Sequence, residues 1–416
     1  MGHLHASKDR WLALQRRVDK TQTGLPPTPE LHDILRHLFT EQEADIAARL
    51  PVVPRSLSSL ARRFDLPAES LRAILDRMAD KGLVFDLPHP TRGTFYMLAP
   101  PVIGFFEFSM MRVRSDIDQK AVAGLLSRYL YDRPDFMREV ARSDTPVGRA
   151  LPHEPALDGD VPDTEVLDTD RATEIVRDAK YGAVSLCYCR HKKEHLGEAC
   201  GRPVDVCLSL GTGADYILRH GHGRRAEAAE LLDILERCRG QQLVHIADNV
   251  LRKPSYICNC CGCCCGQLAA INRHGLSHAV ATSGFLARID REACTGCGRC
   301  ARVCPVRAIS VRPRPPQEGP KAKMLAEIEE DICLGCGVCK AQCTKGALHM
   351  KARTMAKESV ANLLVSIRDG KMLQGLIETS DLLDADRPFE ALKKVRMLLP
   401  LEAASAVTQE PSKEVA

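Results

Sequence analysis

The chain has 416 residues, 44% of them hydrophobic and 27% charged, which gives enough apolar mass for folded cores and excludes a generally disordered chain. A formal net charge of +4 is too small an imbalance to point by itself to nucleic acid or a membrane surface. No run of 18 apolar residues exists and the start, Met1-Gly2-His3-Leu4-His5, lacks the apolar stretch of a secretion signal, so no membrane insertion and a cytoplasmic location are expected.

The length predicts several domains, and the overall class expected is multidomain α+β. Leu31, Ile34, Leu35, Leu38 and Phe39 recur on one face of a helix over residues 28–40. Thr40 and Glu43 form a capping box for the next helix, which Pro51 and Pro54 end. Helices over 56–64 and 67–81 follow, with Gly82 as C-cap, then a hairpin over 83–87 and 94–98. Helices followed by a two-stranded wing resemble the winged-helix domain, expected over residues 28–115. Between Glu41 and Arg114 stand ten basic and nine acidic residues, and the second helix of the pair interleaves Arg72, Arg77 and Lys81 with Glu69, Asp76 and Asp80. That mixed face predicts a protein-docking module, with DNA as the alternative partner.

Residues 116–167 are expected to be a helical segment, continuing from about residue 100 to 142, and then a Pro-, Gly- and Asp-rich linker. From 168 to 285 short strands (183–186, 243–246, 255–257) alternate with helices (226–238, 267–273), which predicts a small cysteine-rich α/β domain. Residues 286–350 hold a repeated cysteine motif, and 351–416 are expected to be a helical segment ending in a frayed tail.

Cysteine is the outlier in composition: 19 residues, all between Cys187 and Cys343. Thiols so tightly grouped in a chain with no secretion signal favour metal ligation over a disulfide framework. Cys294-x2-Cys297-x2-Cys300-x3-Cys304-Pro305 is repeated as Cys333-x2-Cys336-x2-Cys339-x3-Cys343, the spacing of the bacterial ferredoxin run. In that arrangement the fourth thiolate of each run ligates the opposite cluster, so the expected sets are Cys294, Cys297 and Cys300 with Cys343, and Cys333, Cys336 and Cys339 with Cys304. Gly296, Gly298, Gly335 and Gly337 let the backbone wrap closely around such a group. Zinc also accepts four thiolates, but zinc ribbons pair two C-x2-C units and do not set three thiols in register. The segment resembles the two-cluster bacterial ferredoxin domain, which implies two [4Fe-4S] clusters passing single electrons. Thr344 stands where the second run of that family usually carries proline.

A second constellation precedes it: Cys187, Cys189, Cys200 and Cys207, then Cys258, Cys260, Cys261, Cys263, Cys264 and Cys265. Six thiols in eight positions exceed what packing explains, because alternate strand residues face opposite sides, and adjacent cysteines make strained disulfides. An additional iron–sulfur cluster or zinc is expected within 187–265, with persulfide or thiol redox chemistry as the alternative. Ten thiols allow two four-ligand sets with two to spare, and the pairing stays open. Cys238 shares a helix face with Leu231, Ile234 and Leu235 and reads as core.

Two further patterns carry less. His191-x-x-Glu194-His195 has only three fixed positions, and its basic residues are read as lining a cluster or an acidic partner. Gly221-x-Gly223-x-x-Ala226 lacks the strand a dinucleotide fingerprint requires and reads as a loop capping a helix.

Cys187-Tyr188-Cys189-Arg190, Ile257 through Cys265 and Cys294 through Cys343, behind a winged-helix-like front, together resemble a family of prokaryotic ferredoxin-like iron–sulfur proteins, over most of residues 30–350. The resemblance implies electron transfer with redox partner proteins and supplies no substrate. A redox-sensing DNA-binding regulator, or a sulfur-, thiol- or metal-processing oxidoreductase using the middle cysteines, are the alternatives.

Overall fold

The computed structural model describes residues 2–21, 23–141, 146–157, 171–250, 253–315 and 324–353, with side chains from residue 10 onward. It is a mixed helix and sheet structure. The helices expected over 355–400 and the tail lie outside the described residues. Among the described residues no helix is long and apolar enough to cross a membrane.

The N-terminal unit starts with helix α1 (Gly2–Val18), whose Trp11, Leu14 and Val18 are buried. Helix α2 (Pro29–Leu38) follows, then α3 (Glu41–Ala47), which carries the expected capping box from Thr40 to Glu43. Strand β1 (Arg55–Ser56) leads into α4 (Leu57–Phe64) and α5 (Ala68–Asp80). The α5 face of Leu71, Ile74, Leu75 and Met78 is buried, each side chain contributing about 1.5–3 kcal/mol. The hairpin is β2 (Val84–His89) and β3 (Gly93–Leu98), which pairs also with β1 in a three-stranded sheet. Gly82, with φ of 79°, makes the turn between α5 and β2.

Over residues 100–141 the structure is less continuously helical than the apolar content suggests. Pro100, Pro101 and Gly104 break the backbone at the start, and helix follows in α6 (Phe106–Phe108), in α7 (Gln119–Ser127, capped by Asp118), which runs on as a π-helical turn over Arg128–Asp132, and in α8 (Asp135–Val140). Residues 148–151, which composition reads as linker, form strand β4 (Gly148–Leu151). Its central pairing hides it from a composition argument: Ala150 and Leu151 are fully buried although Gly148 and Arg149 look loop-like.

The cysteine-rich unit continues with α9 (Ala172–Ala179), β5 (Tyr181–Ser185), α10 (Tyr188–His195), β6 (Cys207–Leu210), α11 (Gly211–Arg219), β7 (Arg224–Glu227), α12 (Ala228–Gly240), β8 (Val244–Asp248), β9 (Tyr256–Cys260), α13 (Gly266–His274) and β10 (Val280–Ala281). Its seven-stranded sheet has the order β10-β4-β8-β9-β6-β5-β7. Every pair is antiparallel except β10 with β4. The alternating pattern in the sequence therefore does not mark parallel crossovers. Helix α10 has only eight residues and its loop returns the chain at the end where β5 stopped, so β6 runs back beside it. The Gly221–Ala226 segment is not a helix cap but leads through edge strand β7.

The last unit has two two-stranded sheets: β11 (Phe285–Ile289) pairs β14 (Leu348–Ala352), and β12 (Ile309–Pro313) pairs β13 (Met324–Ile328). Helix α14 (Arg299–Val303) lies between the first and last cysteines of the first run. Strand β14 carries this unit two residues past the boundary expected at 350.

Candidate metal centres

The sheet topology brings the distant middle cysteines to one end of one sheet. Cys187 and Cys189 follow the C-terminal end of β5. Cys207 starts β6 and pairs in register with Ser185. Strand β9 runs antiparallel to β6, so its last residues, Cys258 and Cys260, arrive at the same end. The turn carrying Cys261 to Cys265 then leads into α13.

The ten thiols divide into two groups. The sulfurs of Cys200, Cys261, Cys263 and Cys264 all lie within 4.8 Å of one another. The Cys200 sulfur is 3.7 Å from those of both Cys261 and Cys264, and Cys264 is 3.8 Å from Cys263. Hydrogen bonds from Cys264 and from Arg190 pull the Cys261 thiol down to about 4. The remaining thiols form a chain on the other side of the strand end. Cys207 and Cys260 both hydrogen-bond Cys258, while Cys189 and Cys260 both hydrogen-bond Cys265, which holds Cys258 and Cys265 well below the ordinary thiol range. Cys187 lies close enough to Cys258 and Cys265 to feel their charge, but burial dominates and pushes its thiol up to about 11. The two groups face different cores: Cys261 and Cys264 pack with the α9 and α12 side, Cys260 and Cys265 with the N-terminal side.

Buried cations line both groups. Arg190 is fully buried, and its guanidinium donates to the carbonyl oxygens of Pro203 and Asn259 and reaches the Cys261 sulfur. Lys192 is also fully buried; its Nζ donates to Tyr131 Oη at 3.0 Å and lies 4.3 and 5.1 Å from the Tyr131 and Tyr188 ring centres. Burial pushes the Lys192 ammonium down to about 8, against the pull of Cys189. Among the described residues neither cation forms a salt bridge with a carboxylate. A buried guanidinium without an anion is costly, and the available anions here are thiolates. Thiolate charge at this density in turn calls for a metal, so the donor set fits one. Glu107 closes the N-terminal side: it accepts from the Gly104 N–H at 3.1 Å and burial raises its carboxyl to about 7.

In the last unit, Cys304, Cys333, Cys336 and Cys339 line one cavity together with Pro305, Val306, Leu334 and Met350. Cys304 thus leaves its own run and joins the second. The Ala308 N–H donates to Cys304 Sγ at 3.2 Å, the kind of amide–sulfur bond that stabilises a ligated thiolate. Burial pushes the Cys336 thiol up to about 12, so only a bound cation would keep it ionised. The four glycines of the two runs have φ of 65°, 71°, 68° and 76°, and Gly335 packs its α-carbon against the Phe285 carbonyl where a Cβ would come within 2.1 Å. Cys294, Cys297 and Cys300 lie together; Cys297 is exposed, while Cys294 and Cys300 are buried, as Cys336 and Cys339 are. Thr344, at the usual proline position, accepts from Arg299 at 3.2 Å and so ties the two runs together.

The two thiol-bearing units touch through their cysteine segments. A Cβ on Gly262 would meet the Pro305 carbonyl oxygen at 2.3 Å, and Asn272 Nδ2 donates to the carbonyls of both Gly262 and Pro305 at 3.2 and 2.9 Å. The His153 N–H donates to the Cys336 carbonyl at 3.0 Å. Its ring lies 4.9 Å from that of His245, which bonds Asn259 Oδ1 at 2.6 Å, between Cys258 and Cys260. Gly262→Ala is therefore expected to destabilise the chain by about 1–3 kcal/mol through backbone displacement at this contact. Urea midpoints under anaerobic conditions check it, and a midpoint equal to that of the unsubstituted chain would show the contact to be slack.

Other sequence expectations resolve simply. Cys238 is fully buried in the α12 core. The His191 and His195 rings lie 4.7 Å apart, but Glu194 is exposed and does not join them, and His191 Nδ1 bonds the Met110 carbonyl at 2.8 Å. Tyr131, Glu107, His153 and His245 went unrecognised as site residues in the sequence. None of them belongs to a cysteine motif, and only the fold brings them to the thiols.

A family model, described as a 4Fe-4S dicluster domain, matches residues 293–347. That segment is an iron–sulfur ferredoxin-type domain and supports a 4Fe-4S cluster in this chain. No curated protein and no solved structure matches the chain.

Proposed function

We propose that the chain is an electron-transfer protein, acting within a redox complex, in which Cys294, Cys297, Cys300 and Cys343 hold one [4Fe-4S] cluster and Cys333, Cys336, Cys339 and Cys304 a second. The middle thiols hold a further metal centre at the inner end of the relay. Bound clusters supply one-electron couples. The observation that carries this reading is the graded placement of the two cysteine sets. Cys297 opens to the surface, whereas Cys304 and Cys336 back onto the middle unit at Gly262 and His153.

Arg299 and Arg302 are exposed beside Cys297, Arg307 is exposed further along the same run, and together they favour an acidic redox partner. Residues 28–115 are read as a winged-helix-like unit that serves protein docking. Its α5–β2 end is taken up by the middle unit, where Tyr216 Oη donates to the Ala79 and Val84 carbonyls and Arg219 pairs with Asp86. The exposed α5 side chains Glu69, Arg72, Arg77 and Asp80 mix charge signs, which supports a protein partner over DNA.

The test is anaerobic purification with iron and acid-labile sulfide counts and EPR of the reduced chain. About eight irons in two interacting clusters match the ferredoxin unit, and more place iron in the middle unit as well. Fewer than four irons, with zinc in the ferredoxin cysteines, would sink the proposal.

A further inference from the structure

We infer that Cys200, Cys261, Cys263 and Cys264 form a closed site for one tetrahedral metal ion of the zinc class, separate from the other six middle thiols. This deepens the proposed metal centre of the middle unit and does not depend on the ferredoxin clusters. The argument is geometric. Zinc–sulfur bonds of about 2.3 Å place the corners of a tetrahedron about 3.8 Å apart. Three of the six sulfur separations are 3.7, 3.7 and 3.8 Å, and all six lie within 4.8 Å. A cubane puts an iron–iron edge between any two of its thiolates and spreads them wider than this. Among the described residues these four are the one set of His, Cys, Asp or Glu ligand atoms so tightly grouped; neither ferredoxin set contracts this far.

Disulfides do not explain the group. Each close pair is far beyond the S–S bond length, and Cys263 and Cys264 are adjacent in sequence. Nor do four neutral thiols, because the buried Arg190 beside Cys261 needs an anion. Four thiolates around a divalent ion leave two negative charges, and Arg190 offsets one of them. All four positions are filled by protein, so the ion would hold structure and bind no substrate. What it would hold is specific. It pins the 196–206 loop, through Cys200, to the turn after β9. Gly262, between two of the ligands, is the residue that rests on Pro305 beside Cys304. The six thiols left over, with Lys192 against them, are then the set available to a polynuclear or redox-active centre.

The test uses the full chain, purified anaerobically, with zinc, iron and sulfide counts and zinc-edge X-ray absorption. The expected result is about one zinc per chain with four sulfur neighbours at about 2.3 Å and no metal–metal scattering. Cys200→Ser should lower zinc occupancy at least tenfold and leave iron, sulfide and EPR unchanged. Cys263→Ser, at the exposed edge of the site, gives the same readout should Cys200→Ser not fold. A chain without zinc but with full iron overturns the site and leaves the relay standing. Loss of several irons from either variant also overturns it, because the thiols would then be cluster ligands. A chain with zinc here but without iron would overturn the relay and leave this site intact.

Discussion

Cys304→Ala is expected to remove about four irons per chain and one cluster's EPR signal, and the cluster that survives should be the one open to solvent. In sequence Cys304 completes the run of Cys294, Cys297 and Cys300. In space it lines a cavity with Cys333, Cys336 and Cys339, and the Ala308 amide is aimed at its sulfur. Alanine leaves the enclosed site one thiolate short, in a pocket where Cys336 and Cys339 are already hard to ionise because they are buried. The exposed Cys297 and its two neighbours keep their own environment. A soluble paramagnetic ion added to the reduced variant should therefore broaden the remaining signal strongly. If the surviving cluster is instead shielded from that probe, Cys304 serves its own run and the crossed assignment is wrong.

The ferredoxin unit was legible because its ligands are local. Spacings of two and three residues around glycines that must adopt positive φ carry both the chemistry and the turn geometry. The N-terminal helices were legible for a similar reason: caps and 3.6-residue periodicity are written within single elements. The middle unit was not. The sulfurs that meet Cys200 come from 61 and 64 positions downstream, and only the antiparallel order of β5, β6 and β9 brings them there. Within Cys258–Cys265 the change from strand to turn after Cys260 sends neighbouring thiols to opposite sides, which no count of cysteines reveals. The sequence already reads the basic residues after Cys189 as lining a cluster, Lys192 among them, but Glu107 was hidden because it stands far upstream of the first cysteine. Strand β4 was hidden because its pairing, not its composition, makes it a strand.

That same hidden electrostatics gives the largest stability effect. Arg190→Leu is expected to cost about 3–5 kcal/mol, because it breaks a buried charge arrangement and does not merely remove a contact. Two carbonyl oxygens, of Pro203 and Asn259, lose their donor, and each buried acceptor left unpaired costs about 1–3 kcal/mol. Cys261, whose thiolate the guanidinium favours, loses the cation that faces it, so metal should be lost along with stability. Leucine fills part of the volume, which keeps the cavity term small and leaves the charge term dominant. Arg190→Lys is the sharper variant. It restores the charge, but a point ammonium cannot reach both carbonyls and the Cys261 sulfur as a planar fork does, so it should recover metal content more than stability. Anaerobic urea midpoints and metal counts on both variants separate the two contributions. An Arg190→Leu chain with unchanged midpoint and full metal content would mean that the middle thiols are neutral, and that the buried guanidinium is compensated by something other than thiolate charge.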